Sequence, residues 1–144
     1  MIEWQCNTRE THCTNLVTLA GAPRWPPQRD SNPSLLGNAP LSPTTHVILD
    51  SRNQAYVNPA HIVRHLTWSE FCLQPRGDSP TRKLVFDSLV LGCIPIVFDP
   101  FTAHHQYPRH LHEDDRTISV YIHTDEAKML EVNVIERLMK IPIK

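Results

Sequence analysis

The chain reads as an α/β domain, a parallel sheet with flanking helices. Three features predict this. Short apolar runs alternate with helix-like patterns along the sequence, as strands joined by crossover helices do. Ile94 to Phe98 is apolar without a break, as a parallel strand buried on both faces requires. Between Ser69 and Pro100 the order is apolar run, polar turn around Gly77-Asp78-Ser79-Pro80, helix pattern and second apolar run, a complete strand–loop–helix–strand unit.

Taken in order, Met1 to Thr14 is polar and aperiodic and reads as a poorly ordered segment ahead of a domain spanning 15–144. Asn15 to Gly21 is a buried strand closed by a glycine turn. From Ala22 to Thr44 the chain holds Pro23, Pro26, Pro27, Pro33, Pro40 and Pro43, so neither helix nor central strand is sustained and a long loop is expected. His46-Val47-Ile48-Leu49 is a short strand. Asn58-Pro59 starts a helix, with asparagine capping, proline in the first helical position, and Ile62, Val63 and Leu66 following at helical spacing.

Phe71-Cys72-Leu73 is the next strand, and Thr81 to Leu91 the next helix, with Leu84, Val85 and Leu89 on one face. Ser79 is expected as its N-cap, Pro80 as its first residue, and Gly92 as its left-handed C-cap. Ser119 to Ile122 is a further strand. Asn133 with Glu136 makes a capping box for a last helix containing Ile135 and Leu138, stopped near Pro142.

Bulk properties narrow the function. At 144 residues there is room for about one domain and its core. A formal net charge of −1 gives no electrostatic case for nucleic acid or an anionic membrane. No run approaches the ~18 apolar residues of a membrane span, and Met1 to Gln5 lacks the pattern of a signal peptide. Cys6, Cys13, Cys72 and Cys93 show no C-x-x-C spacing. Cys72 and Cys93 lie in apolar strand patterns and read as buried thiols or a structural pair rather than ligands or nucleophiles.

The chemistry concentrates in the loop Gln74 to Pro80. It leaves the carboxyl end of a strand and enters a helix whose first N–H groups lack intrahelical partners. Arg82 and Lys83 put two cations at that helix start, where they oppose the macrodipole unless an anion binds between them. One reading is a phosphate cradle, with Gly77 for close backbone approach, Ser79 and Thr81 hydroxyls as donors, and Arg82 or Lys83 as counter-charge. The other is an ordinary cap with Asp78 paired to the basic residues. A P-loop is disfavoured, because no second glycine precedes Lys83. Asp87, farther along the helix, reads either as an acceptor for a sugar diol or as the i, i+4 partner of Lys83.

His104, His105, His110 and His112, followed by Glu113, Asp114 and Asp115, form a second polar cluster. Their spacing matches no standard zinc ligand set, so a polar loop near the ligand edge of the sheet is expected and no metal. No G-x-S-x-G elbow is present to mark a serine nucleophile.

Ser69 to Arg82, Phe86-Asp87-Ser88, Gly92-Cys93-Ile94-Pro95 and Phe98-Asp99-Pro100 together resemble the signature of the exostosin-like glycosyltransferase family 47. Within it they are similar to the plant group that includes xyloglucan galactosyltransferases. The resemblance continues through Thr102-Ala103, Gln106-Tyr107, His110-Leu111, Glu113-Asp114 and Ser119 to Ile122. It also takes in Ala20 to Arg24 and Val134 to Leu138, and is densest from Ser69 to Ile122. Arg76, Lys83, Arg109 and His112 depart from the pattern of the plant group.

The resemblance implies the C-terminal half of a GT-B glycosyltransferase, a Rossmann-like donor-binding domain that works with a separate N-terminal domain. It implies a luminal Golgi location on a membrane-anchored enzyme, and transfer of a sugar from a UDP-linked donor, expected to be galactose, to a polysaccharide acceptor such as xyloglucan. No permanently bound cofactor or metal is implied. Gly77, Asp78, Ser79, Thr81 and Arg82 take the donor-diphosphate positions by this resemblance, and Asp87 that of the acidic residue facing the nucleoside or donor sugar. No residue of the chain is assigned as catalytic base; in GT-B enzymes that group commonly comes from the other domain. The competing expectation is a non-catalytic or vestigial nucleotide-sugar-binding fragment, and a third is a histidine-based metal module.

Overall fold

The structure is a computed structural model that describes residues 13–21, 46–50, 58–75, 82–103, 105, 107, 109, 118–123, 126 and 134–142. The expected loop from Ala22 to Thr44 and most of the segment before residue 15 lie outside these residues.

Five parallel strands form one sheet in the order β2-β1-β3-β4-β5: β1 (Asn15–Gly21), β2 (His46–Asp50), β3 (Ser69–Gln74), β4 (Ile94–Val97) and β5 (Val120–Tyr121). Helix α1 (Pro59–Thr67) connects β2 to β3, α2 (Lys83–Leu91) connects β3 to β4, and α3 (Val134–Met139) follows β5. This is the α/β parallel sheet the alternation predicts.

Period-2 alternation divides the strands into two faces. Val17, Leu19, Phe71, Leu73, Ile94, Ile96 and Phe98 pack with Ile122 against Val134, Ile135 and Leu138 of α3. On the other face Cys72, Cys93 and Leu66 cluster with Ile62 of α1 and Leu84 of α2, while Val97 packs with Val85 and Ala103. Both faces are covered, which is why Ile94 to Val97 is buried at every position.

The helix ends are made locally. Asn58 accepts from the Ala60 N–H at 3.0 Å with Pro59 beside it, the predicted start of α1. Gly92 adopts φ 77°, so α2 ends in the left-handed turn that its lack of a Cβ permits, and the Gly92 N–H donates to Leu89 O at 3.2 Å.

The start of α2 corrects the sequence reading. The helix opens at Lys83 rather than Thr81, and its N-cap is Arg82, extended at φ −126°, ψ 111°, with no side-chain cap bond, rather than Ser79. A serine cap contributes only about 1 kcal/mol. Two bonds from Gln74 at the end of β3, to Leu84 O and Ser88 Oγ, tie the helix to the sheet from Leu84 onward, each comparable in size to such a cap. For α3, the capping residue Asn133 lies outside the described residues, while Glu136 stands in the first turn as expected.

Candidate functional site

Because all strands run parallel, their carboxyl ends share one edge. The strand order places β1 between β2 and β3, so the chain leaves β1 toward one side and continues from β3 toward the other. The carboxyl ends of β1 and β3 therefore flank a topological switch point, the crevice where open α/β sheets take their ligands. Gln74 closes β3 at this edge, and the connection to α2 begins there.

Of the predicted donor residues, Gly77, Asp78, Ser79 and Thr81 lie outside the described residues. Arg82, Lys83 and Asp87 are described. Arg82 is half-buried at the N-cap of α2, and Lys83 is the first helical residue. Lys83 Nζ stands 2.6 Å from Asp87 Oδ2, the i, i+4 pair that was one of the two readings of Asp87. Lys83 is 86% exposed and Asp87 34%, so water screens the pair and it contributes little to stability. Arg82 and Lys83 stand at the positive end of α2, whose first turn carries no acidic side chain, and Asp87 in the next turn balances Lys83.

The sequence reading missed Gln74. It is 2% exposed, and its Nε2 donates to Leu84 O at 3.4 Å and to Ser88 Oγ at 3.1 Å. Ser88 Oγ in turn donates to Leu84 O at 2.6 Å. Gln74 Oε1 is buried and has no hydrogen-bond partner among the described residues. A polar residue inside an otherwise apolar strand pattern was the available signal, because a buried carboxamide must find partners.

Cys72 and Cys93 form a disulfide, with Cα atoms 5.9 Å apart, and are 1% and 0% exposed. The structural pair is therefore the alternative realised. Cys13 is disulfide-bonded too.

Beyond β4, Asp99 caps a 3-10 turn, Pro100–Thr102, by accepting from the Phe101 N–H at 2.8 Å. Thr102 and Ala103 are buried, while Phe101 is 55% exposed and lies 4.8 Å from the His105 ring. Tyr107 meets Phe86 of α2 edge to face at 4.8 Å. In the histidine cluster, His104, His110 and His112 lie outside the described residues, as do Glu113, Asp114 and Asp115. No group of three potential ligands converges among the described residues. No described helix is long and apolar enough to cross a membrane.

The chain matches the exostosin GT47 domain over residues 1–138. It is 42% identical over 136 residues to the xyloglucan-specific galacturonosyltransferase 1 of Arabidopsis thaliana, a match covering 94% of this chain and 20% of the relative. It is 42% identical over 141 residues to the probable xyloglucan galactosyltransferase GT20 of the same plant, covering 98% of this chain and 25% of the relative. Identity to that plant's xyloglucan galactosyltransferase MUR3 is 34% over 145 residues, covering 100% of this chain and 23% of the relative. The chain thus spans about a quarter or less of the length of these relatives. With a match across nearly its whole length, the chain belongs to the exostosin GT47 domain family.

Proposed function

We propose that this chain is the donor-binding domain of a Golgi glycosyltransferase, which moves a sugar from a UDP-linked donor to a cell-wall polysaccharide. Galactose is the preferred sugar and xyloglucan the preferred acceptor, since xyloglucan galactosyltransferases are among the relatives. The observation that carries the reading is the end of β3 at Gln74, on the carboxyl edge beside the β1/β3 switch point, from which the chain goes on to a helix start carrying Arg82 and Lys83. The Cys72–Cys93 disulfide supports passage through an oxidising compartment such as the secretory lumen.

The chemistry follows from that placement. Transfer needs a base to take the proton of the acceptor hydroxyl, and positive groups to stabilise the departing diphosphate. Arg82 and Lys83 at the start of α2 serve the second need, and the loop residues Gly77, Asp78, Ser79 and Thr81 add backbone N–H groups and hydroxyls as donors. A partner domain supplying the acceptor site serves the first. Asp87 accepts from the nucleoside or donor sugar once Lys83 turns toward phosphate.

A second reading, a nucleotide-sugar-binding fragment without turnover, is favoured by the Lys83–Asp87 pair, which engages two of the assigned side chains with each other. Calorimetric titration of the chain with UDP, UDP-galactose and zinc tests both. UDP binding that weakens in Arg82→Ala with folding intact supports the donor site, and a folded chain giving no heat with UDP rejects both. A response to zinc alone points instead to the histidines. Transfer to xyloglucan, with and without an added N-terminal domain, separates enzyme from fragment.

A further inference from the structure

Helix α2 is fastened to the sheet through its first two turns and just past its last residue. The Gln74 carboxamide reaches from the end of β3 to Leu84 O in the first turn, at 3.4 Å, and to Ser88 Oγ in the second, at 3.1 Å. At its far end, Cys93 follows the Gly92 cap and is bonded back to Cys72 within the same strand. All the assigned donor residues lie between these fasteners, on the stretch that Cys72 and Cys93 close at a sequence separation of 21.

Apolar contacts between helix and sheet are non-directional and tolerate sliding. A carboxamide hydrogen-bonded to the first two turns and a covalent bond just past the last do not. A nine-residue helix is about 13 Å long, so restraint of its first two turns and of the residue after its C-cap limits its tilt as well as its height over the sheet. An anion site made of helix-start N–H groups and neighbouring cations needs its donors placed to within about 0.5 Å.

Resting on the diphosphate reading above, we infer that Gln74 and the Cys72–Cys93 disulfide are positioning residues of the nucleotide site. They set how the start of α2 stands at the sheet edge, and through it the affinity for a diphosphate. Their effect on binding exceeds what their effect on stability explains.

The test titrates UDP into the disulfide-bonded chain, the chain reduced with a phosphine, Cys72→Ala/Cys93→Ala, Gln74→Met and Leu138→Ala, each at a temperature where circular dichroism shows it folded. Met keeps the volume of Gln74 without its donors. Leu138 belongs to the opposite face and serves as a destabilised control. Reduction, the double variant and Gln74→Met are expected to weaken UDP by about tenfold or more, as loss of preorganisation does. Leu138→Ala is expected to lower the melting temperature while leaving UDP affinity within about twofold, because well-separated sites act independently.

UDP affinity unchanged by reduction and by Gln74→Met, or weakened equally by Leu138→Ala, overturns the inference while leaving the diphosphate reading standing. No UDP binding by the disulfide-bonded chain overturns both. Should the variants fail to fold, hydrogen exchange on the reduced native chain decides. Loss of protection in 83–91 ahead of 134–139 supports the inference, and equal loss in both overturns it.

Discussion

The two faces of the sheet are built on different chemistry. Under α3 the described core is a cluster of apolar side chains, with Val17, Leu19, Phe71, Leu73, Ile94 and Ile96 meeting Val134, Ile135 and Leu138. Under α1 and α2 the strands present Thr18, Cys72 and Gln74 as well, all buried, with a disulfide and a hydrogen-bonded carboxamide among the apolar contacts. Thr18 Oγ1 also pairs with Ser69 Oγ at 2.5 Å, and Ser69 Oγ with His65 O at 2.7 Å, fixing the start of β3 near the end of α1. Burial of a large apolar side chain contributes roughly 1.5–3 kcal/mol wherever it occurs, but directs little. Directional bonds contribute less each and specify position. The face carrying the candidate site is the one with the directional bonds.

The sharpest way to break this contrast is to damage the apolar face and look for a functional effect. Phe71→Ala removes a fully buried ring and is expected to cost about 3–5 kcal/mol in denaturant unfolding. Folded Phe71→Ala protein should still bind UDP; lost binding in folded protein would erase the division of labour. Opening the Cys72–Cys93 disulfide comes next, at about 3 kcal/mol for a loop of this size. Here the division predicts that stability and binding fall together.

Smaller effects sharpen the picture. Asn58→Ala deletes the α1 cap and should lower stability by about 1 kcal/mol, read as a shift in urea midpoint with unchanged slope. Asp87→Asn breaks the exposed pair with Lys83 and should change stability by no more than about 0.5 kcal/mol. A pronounced loss of UDP-galactose affinity in that variant would give Asp87 a role that the ion pair does not explain.

The last effect is a pH dependence. Burial holds the Glu70 carboxyl, on β3, above the usual carboxylate range. Folding therefore favours its protonated form. That contribution is fully present below the unfolded pKa and is lost as pH rises through the folded one. Glu70→Gln should match the parent chain in acid and exceed it slightly in melting temperature near neutrality. A variant advantage that grew on acidification would contradict the burial argument.

Much of the frame is legible in the sequence. The Asn15–Gly21 strand, the Asn58-Pro59 helix start, the Gly92 cap and the fully buried β4 each rest on local rules that tertiary context did not overturn. The start of α2 was misplaced because Ser79-Pro80 is a good local cap, and the competing bonds from Gln74 join residues ten and fourteen positions apart. Gln74 was missed for the same reason, since its partners become visible only when β3 and α2 are side by side. The site was legible as a cradle of Gly77, Ser79 and Thr81 with a pair of cations; Asp78 joined it by the family pattern, and all four loop residues lie outside the described ones.

The sequence by itself determined the α/β class, the order of strands and helices along the chain, and the family, because periodicity, caps and an extended motif are properties of neighbours in the chain. Only the tertiary structure decided that β1 and β3 flank the switch point, that Cys72 bonds to Cys93, and that Lys83 faces Asp87. Strand order and cross-links depend on which distant segments bury surface together. That choice is made by the whole core at once, not by any window of the chain.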